Sequence, residues 1–191
     1  MNTLIITAHP ASYGFTHKIA ERYKQVEEGT GNSVEIMDLY AHKYAQPFLS
    51  FENLKTDTGP TPTKTLIQEK IAWADELVFV APVWNMSVPA IMKNFFDVNF
   101  SAGFAFKYGP NGLEKLLTGK RARFYLTADG PKWLYLFYNR VLKYLTLGGF
   151  LHSYCGMKIE SIMTFTEMFK KRTDEERDAM LEKVSEHAMK K

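Results

Sequence analysis

The feature that most constrains the fold is a nearly continuous apolar run at residues 76–81, Glu-Leu-Val-Phe-Val-Ala, which Pro82 ends. A strand of this kind carries apolar side chains on both faces, whereas a strand at the surface of a sheet alternates apolar and polar residues. Both faces then need cover, which helices supply in sheets of parallel strands. The run therefore predicts the central strand of a parallel sheet that has helices on both sides.

The rest of the chain alternates strand and helix patterns, as such a sheet requires. Strands are predicted where β-branched and apolar residues form short runs, and helices where apolar residues recur every three or four positions. The predicted strands are residues 2–8, 34–39, 76–81, 121–127 and 157–165, and the predicted helices are residues 15–28, 65–75, a helix from Pro89, residues 132–147 stopped by Gly148-Gly149, and a helix from Thr173. Residues 40–63 and 100–113 are expected to be irregular. With right-handed crossovers, this alternation predicts one α/β domain, residues 1–191, with a doubly wound five-stranded parallel sheet of order 2-1-3-4-5.

Composition and charge exclude several classes of function. The net charge is only +3, so no nucleic-acid-binding surface is predicted. The chain has one cysteine, Cys155, which rules out an intrachain disulfide, and its apolar surroundings favour a buried structural thiol over a nucleophile. No apolar run is long enough to cross a membrane, the amino terminus lacks the basic flank of a signal peptide, and no metal site is predicted. We expect a cytoplasmic protein.

The loop after the first strand, residues 9–16, is the first candidate binding site. In sheets of this kind, ligands bind at the carboxyl ends of the strands. The helix that follows offers unpaired backbone N–H groups and the positive end of its dipole, which suit a phosphate. Ser12 and Thr16 add hydroxyl donors, and Gly14 lets the backbone approach a ligand closely. The stretch lacks the P-loop and dinucleotide fingerprints, so an ordinary capped turn, with His9 as a turn residue, stays an alternative.

Two further loops should meet the first at the same edge of the sheet. Residues 82–89 place an indole, Trp84, and several backbone donors between two prolines, and residues 127–131 contribute a threonine, an aspartate and a glycine. Such a site suits a flat amphiphilic ligand whose phosphate tail lies on the helix and whose ring contacts apolar side chains and backbone N–H groups. Flavin mononucleotide (FMN) has these properties. The alternative for Trp84 is a plain core position.

Motifs along nearly the whole chain carry a family resemblance. The most specific is the spacing Pro-x6-Pro-x3-Lys-x3-Asp that begins at Pro82. The motifs, in chain order, are Ala8-His9-Pro10, Gly14-Phe15-Thr16, the stretch from Ala81 to Asp97, Gly103-Phe104-Ala105-Phe106, Leu117-Thr118-Gly119-Lys120 and Tyr154-Cys155-Gly156. In these motifs the chain resembles the flavodoxin-like NAD(P)H:quinone reductase and FMN-dependent azoreductase family.

The resemblance implies a flavodoxin-like fold, FMN as cofactor and NAD(P)H as electron donor. Hydride would pass from the nicotinamide through flavin N5 to a quinone, azo or nitroaromatic acceptor by a ping-pong mechanism. The residues implied to surround the phosphate are His9, Gly14, Phe15 and Thr16; those implied to wrap the ring are Pro82, Val83, Trp84, Asn85 and Met86; those implied at its other edge are Thr127, Ala128, Asp129 and Gly130. Many family members have Thr-Thr-Gly-Gly at this last position, so the flavin-edge contacts and the substrate shape are where this chain departs from the pattern.

The candidate catalytic side chains are Tyr135 and His152, which could donate protons, although the chemistry does not require an acid or base. For His152 the alternative is a polar residue at a helix end. The aromatic helix at residues 132–147 has aromatic side chains on more than one face, which indicates a partner, and the resemblance implies a homodimer with a shared site.

The sequence leaves three other functions open. Relatives of this type bind and activate potassium efflux channels, so a flavin-binding regulatory subunit of a membrane transport system is one alternative. A flavodoxin-type electron carrier is another, but such carriers are usually strongly acidic and this chain is not. A phosphate-binding domain without flavin is the remaining one. The sequence does not distinguish NADH from NADPH, and it does not identify the physiological acceptor.

Overall fold

The structure, a computed structural model, describes residues 1–52, 59–169 and 173–190. Part of the predicted irregular stretch, residues 53–58, lies outside the described residues. The strands are β1 (Asn2–Thr7), β2 (Ser33–Asp38), β3 (Glu76–Pro82), β4 (Phe106–Gly109), β5 (Gly112–Lys115), β6 (Arg121–Thr127) and β7 (Lys158–Phe165). The helices are α1 (Phe15–Gly29), α2 (Pro62–Trp73), α3 (Ala90–Asn99), α4 (Lys132–Tyr144), α5 (Leu147–Ser153) and α6 (Asp174–Ala188), with a short 3-10 turn at His42–Tyr44.

The main sheet has five parallel strands in the order β2-β1-β3-β6-β7. This is the order 2-1-3-4-5 when the main-sheet strands are counted along the chain, so the predicted flavodoxin-like topology is confirmed. Every residue of the central strand β3 is buried, as its apolar run predicts. Alternate β3 residues contribute to two separate cores, with Leu77, Phe79 and Ala81 on one face and Val78 and Val80 on the other.

Helices cover both faces of this sheet. The core on one face includes Ile19 and Tyr23 of α1 and Leu181 and Val184 of α6. The core on the opposite face receives side chains from α2, α3, α4 and α5, among them Ile67, Phe95, Tyr135 and Leu151. The sheet is therefore doubly wound, and the loops at the carboxyl ends of β1, β3 and β6 lie side by side.

An antiparallel hairpin, β4 with β5, occupies part of the predicted loop at residues 100–113. Its strands have four residues each, too few to show a two-residue hydrophobic period, and most of their side chains are exposed. The turn uses Pro110-Asn111, and Gly112 adopts a positive φ of 104°. The sequence prediction of an irregular loop was wrong here because the hairpin buries too little to leave a pattern.

The sequence predicted that the glycine pair Gly148-Gly149 stops the aromatic helix, and this prediction was wrong. The first helix, α4, ends at Tyr144, and Gly148 and Gly149 lie inside a second helix, α5. A Cβ atom on Gly149 would lie 2.4 Å from the carbonyl oxygen of Tyr144, and one on Gly148 would lie 2.7 Å from that of Leu142. The glycines therefore allow α5 to pack closely against the end of α4.

A buried ionic network lies at the amino edge of the sheet, opposite the three loops. Glu76, at the start of β3, is 1% exposed and accepts hydrogen bonds from the Tyr23 hydroxyl (2.6 Å) and from Nε of Arg123 (2.9 Å). The Arg123 guanidinium also donates to the backbone carbonyls of His187 (3.1 Å) and Lys190 (2.7 Å). Burial and the Glu76 carboxylate raise the pKa of Tyr23 far above its ordinary value, so its hydroxyl stays a donor. The network joins the sheet to the end of α6.

Candidate functional site

The first loop at the carboxyl edge leads from β1 into α1 and leaves backbone donors free. Gly14 occupies the N-cap position of α1 without a side-chain cap, and no acidic residue lies in the first turn. Among the described residues, the N–H groups of Phe15 and Thr16 have no hydrogen-bond partner. Unpaired N–H groups at the positive end of a helix form an anion site. The start of α1 therefore fits the phosphate predicted from the sequence.

The side chain of His9 holds the same loop in shape. Its Nδ1 accepts a hydrogen bond from the backbone N–H of Ala11 (3.0 Å), and its ring lies 6.2 Å from the ring of Trp84, centroid to centroid. A Cβ on Gly14 would lie 3.1 Å from the Ala11 carbonyl oxygen and 3.2 Å from His9 Nδ1. The loop is therefore compact because residue 14 has no side chain, and the His9 ring joins it to the second loop.

The second loop is a tight two-residue turn at the end of β3. Trp84 and Ser87 exchange two backbone hydrogen bonds, of 2.8 and 2.9 Å. The two residues between them, Asn85 and Met86, have φ values of 50° and 61°, in the left-handed region that a type I′ turn requires. Methionine rarely adopts this conformation, and such strain is concentrated at functional sites. The turn leaves the indole of Trp84 half exposed at the carboxyl edge.

The third loop, after β6, is tied to the segment that follows β7. The N–H of Ala128 donates to Phe165 (2.8 Å), and the N–H of Met168 donates back to Ala128 (3.1 Å). The Asp129 carboxylate accepts a hydrogen bond from the backbone N–H of Phe169 (2.9 Å). Asp129, in the stretch where the chain departs from the Thr-Thr-Gly-Gly pattern, therefore holds a neighbouring segment in place.

These loops enclose a cavity of about 320 Å³, which is within the size range of small-molecule sites. It is lined by His9, Phe15, Thr16, Pro82, Val83, Trp84, Thr127, Ala128, Asp129, Met168, Phe169 and Arg177. All three predicted loops thus contribute to one cavity, which combines free backbone donors with an indole wall. The predicted residues that do not line it are Ser12, Gly14, Asn85, Met86 and Gly130.

Three of the lining residues, Met168, Phe169 and Arg177, were not predicted from the sequence. The first two follow β7, which neighbours β6, so the predicted strand order already placed them at the correct edge. Arg177 is the fourth residue of α6, whose start was predicted from its acidic first turn. Nothing in the sequence indicated that the beginning of α6 reaches the first loop.

The two predicted catalytic side chains do not line the cavity. Tyr135 is buried in α4 beside the third loop, where a Cβ on Gly130 would lie 3.0 Å from its ring. His152 lies in α5, with Nδ1 3.3 Å from the carbonyl oxygen of Met157, and faces a separate cavity of about 190 Å³ with Lys143 and Lys158. Tyr135 is therefore adjacent to the site, and His152 belongs to a different part of the surface.

A larger apolar cavity, of about 740 Å³, lies beside the second loop and extends between α3, α4 and α5. Met86, Ser87 and Val88 belong to its lining, while Trp84 of the same turn lines the smaller cavity. Next to it, α4 exposes large apolar side chains to solvent: Trp133, Leu136, Phe137 and Tyr144. This surface corresponds to the aromatic helix for which the sequence predicts a partner.

Other groups in the chain do not point to a different chemistry. Cys155 is fully buried, and burial raises the pKa of its thiol to about 12, so it is a structural residue as predicted. Over residues 1–52, 59–169 and 173–190, no cluster of three or more His, Cys, Asp or Glu side chains is arranged to hold a metal ion. Within the same residues, no helix combines the length and the apolar character needed to span a membrane.

Comparison with known proteins identifies the family. A family model described as a flavodoxin-like fold matches residues 1–188. An uncharacterized NAD(P)H oxidoreductase of Haemophilus influenzae is 32% identical over 187 residues, which cover 95% of this chain and 91% of the relative. An FMN-dependent NADH:quinone oxidoreductase of Caldicellulosiruptor bescii is 32% identical over 177 residues, covering 85% and 84%. The crystal structure of Smu.1420 from Streptococcus mutans has a TM-score of 0.81 at 30% identity and 98% coverage of both chains. The chain therefore belongs to the family with the flavodoxin-like fold.

Proposed function

We propose that the protein is an FMN-dependent oxidoreductase that takes hydride from NAD(P)H and passes it to a quinone, azo or nitroaromatic acceptor. The observation that carries the proposal is the cavity at the carboxyl edge, where the free N–H groups of Phe15 and Thr16 lie in one site with the half-exposed indole of Trp84. The names of the relatives, FMN-dependent NADH:quinone oxidoreductase and NAD(P)H oxidoreductase, agree with this chemistry.

Each group of residues would make a distinct contribution to cofactor binding. The free backbone N–H groups at the start of α1, with the Thr16 hydroxyl, would bind the phosphate. Pro82, Val83 and Trp84 would form the wall for the ring, and Thr127 and Ala128 would face its opposite edge. FMN, when bound, supplies the hydride chemistry itself. Backbone N–H groups aimed at the ring edge would stabilise negative charge that develops there.

We further propose ping-pong kinetics, in which oxidised nicotinamide leaves before the acceptor binds. The support is that Pro82, Val83 and Trp84 would cover one face of the flavin ring, so donor and acceptor would use the other face in turn. Of the two predicted proton donors, Tyr135, buried beside the third loop, lies nearer to this cavity than His152, which faces a separate one. Initial rates over a grid of NADH and menadione concentrations test the ping-pong mechanism. Parallel double-reciprocal lines are expected, and intersecting lines would contradict it.

The first experiment is the visible spectrum of the purified protein, followed by mass spectrometry of whatever heat releases. Flavin bands and a mass equal to that of FMN are expected, followed by oxidation of NADH or NADPH in the presence of menadione or an azo dye. The Trp84→Ala variant should bind FMN more weakly, whereas Tyr40→Ala, which removes an equally exposed aromatic ring that lines neither cavity, should not. A colourless protein that also fails to take up added FMN would refute the proposal.

We also propose that two copies of the chain form a homodimer through α4 and the apolar cavity of about 740 Å³. The exposed Trp133, Leu136 and Phe137 support this, because apolar side chains grouped on one helix face favour a partner. Analytical ultracentrifugation tests the oligomeric state. A monomer at micromolar concentration would contradict the homodimer and would direct attention to a different partner, such as the membrane transport system that a regulatory subunit serves.

We propose that residues 1–191 form one flavodoxin-like domain, which the family match over residues 1–188 supports. We also propose a cytoplasmic location, which the free thiol of Cys155 supports because unpaired cysteines persist in reducing compartments.

A further inference from the structure

Arg177 occupies an unusual position for an arginine. It is the fourth residue of α6, it lines the cavity at the carboxyl edge and it is partly buried. Within the described part of the chain, its guanidinium makes no hydrogen bond and no ion pair. Two other arginines packed against helix α6 are paired, Arg22 with Glu182 and Arg123 with Glu76. A partly buried cation without a partner is costly, so its presence beside a cavity needs a reason.

The charges around Arg177 do not supply that reason. Asp129 lines the same cavity, but its carboxylate accepts the backbone N–H of Phe169 and makes no ion pair with Arg177. Asp174 lies one helical turn before Arg177 without forming an ion pair with it, and the acids of the first turn already complement the helix dipole. The positive end of a helix is itself an unfavourable place for a cation. The guanidinium is therefore left to interact with a group that enters the cavity.

The geometry points to an anion at the start of α1. Phe15 and Thr16, whose backbone N–H groups are free, line the same cavity as Arg177. Helices α1 and α6 pack side by side, and further along them Arg22 donates to Glu182 and to Ser185. The amino-terminal ends of the two helices thus approach the cavity from the same face of the sheet.

We propose that Arg177 binds the phosphate of the cofactor, together with the free N–H groups at the start of α1. This inference rests on the proposed function and adds a specific residue to it. A phosphate monoester carries between one and two negative charges at neutral pH, and arginine binds such groups through two parallel hydrogen bonds. Arg177 thereby distinguishes FMN from riboflavin, which has the same ring and no phosphate.

The test compares the binding of FMN and riboflavin by the apoprotein, measured from the quenching of flavin fluorescence. The Arg177→Gln variant should bind FMN roughly 10- to 100-fold more weakly, with little change for riboflavin, because only the phosphate contact is lost. Its FMN affinity should also depend less on salt concentration than that of the original protein. Arg177→Lys, which keeps the charge but not the paired hydrogen bonds, should recover part of the affinity.

The control variant is Lys183→Gln, which removes one positive charge from the exposed side of the same helix and should leave both affinities unchanged. Equal FMN affinity in Arg177→Gln and the original protein would overturn the inference. An equal loss of FMN and riboflavin affinity would also overturn it, because Arg177 would then support the structure of the site and not the phosphate. If the original protein binds neither flavin, the proposed function fails first, and this result is distinguishable from both of the others.

Discussion

Replacing Glu76 by glutamine should destabilise the protein strongly. The Glu76 carboxylate is 1% exposed, and Arg123, only 4% exposed, depends on it for charge compensation. In the variant, the guanidinium keeps only the carbonyl oxygens of His187 and Lys190, and the new amide places a donor where Tyr23 and Arg123 already donate. Breaking a buried ion pair by removing one partner costs about 3–5 kcal/mol. For a chain of this size, that loss lowers the melting temperature by roughly 6–20 °C.

The assay is urea unfolding of the apoprotein, followed by circular dichroism, because bound flavin would add its own stabilisation. Glu35→Gln is the matched control, since Glu35 pairs with Lys70 at the surface and its loss should cost about 1 kcal/mol or less. The double variant Glu76→Gln with Arg123→Met removes both buried charges and should be more stable than the single variant.

Two results would refute this reasoning. The first is a Glu76→Gln variant within about 1 kcal/mol of the original protein, which would mean that water or local movement compensates Arg123 at little cost. The second is a double variant that is less stable than the single one. Flavin affinity should change little in any of these variants, because Glu76 begins β3 at the amino edge and the proposed site lies at the carboxyl edge.

Three smaller predictions concern stability. Gly149→Ala places a Cβ 2.4 Å from the Tyr144 carbonyl oxygen and should lower the free energy of unfolding by about 1–3 kcal/mol. Gly29→Ala, which has open space around the new Cβ, should not lower it. Thermal unfolding of the two variants shows whether close packing is the cause. Thr173→Ala removes the capping box of α6 and should lower the free energy of unfolding, measured in urea, by about 0.5–2 kcal/mol. An unchanged free energy of unfolding would contradict the role of the cap. Burial, aided by neighbouring positive charges, lowers the pKa of His187, so the unfolded chain binds this proton more readily than the folded one. The contribution of His187 to the free energy of unfolding is therefore fully present above about pH 6.5 and is lost as the pH falls below that value. The decrease in the free energy of unfolding at acid pH should be smaller in His187→Gln.

The main sheet could be predicted from the sequence because its strands are buried and their patterns are strong. The nearly continuous apolar run at residues 76–81 predicts a strand buried on both faces, and the observed β3 matches it. The acidic residues after Thr173 likewise predicted the start of α6, where the capping box is observed. The hairpin at residues 106–115 was missed because its side chains are mostly exposed and periodicity reports burial.

The glycine pair illustrates a different reason for failure. Gly148-Gly149 was interpreted through local backbone preference, in which glycine ends a helix. In the structure the pair is determined by tertiary contact, because no side chain fits where α5 meets the end of α4. Arg177 of the candidate site was missed for the same reason, since it reaches the cavity through the packing of α6 against α1, whereas Phe169 follows β7 at the predicted edge and is held there by its hydrogen bond to Asp129.

The turn between Trp84 and Ser87 links the two cavities. Trp84 belongs to the cavity of about 320 Å³, while Met86, two residues away, belongs to the one of about 740 Å³. Met86 has a φ of 61°, a conformation that costs free energy and persists only where the surrounding structure holds it. A second copy of the chain packed against the larger cavity would restrain this turn and thus hold the indole in place. FMN affinity should therefore rise with protein concentration across the monomer–dimer transition, as measured by titrations at several concentrations. A dissociation constant that is the same for monomer and dimer would show that the turn is already fixed within one chain.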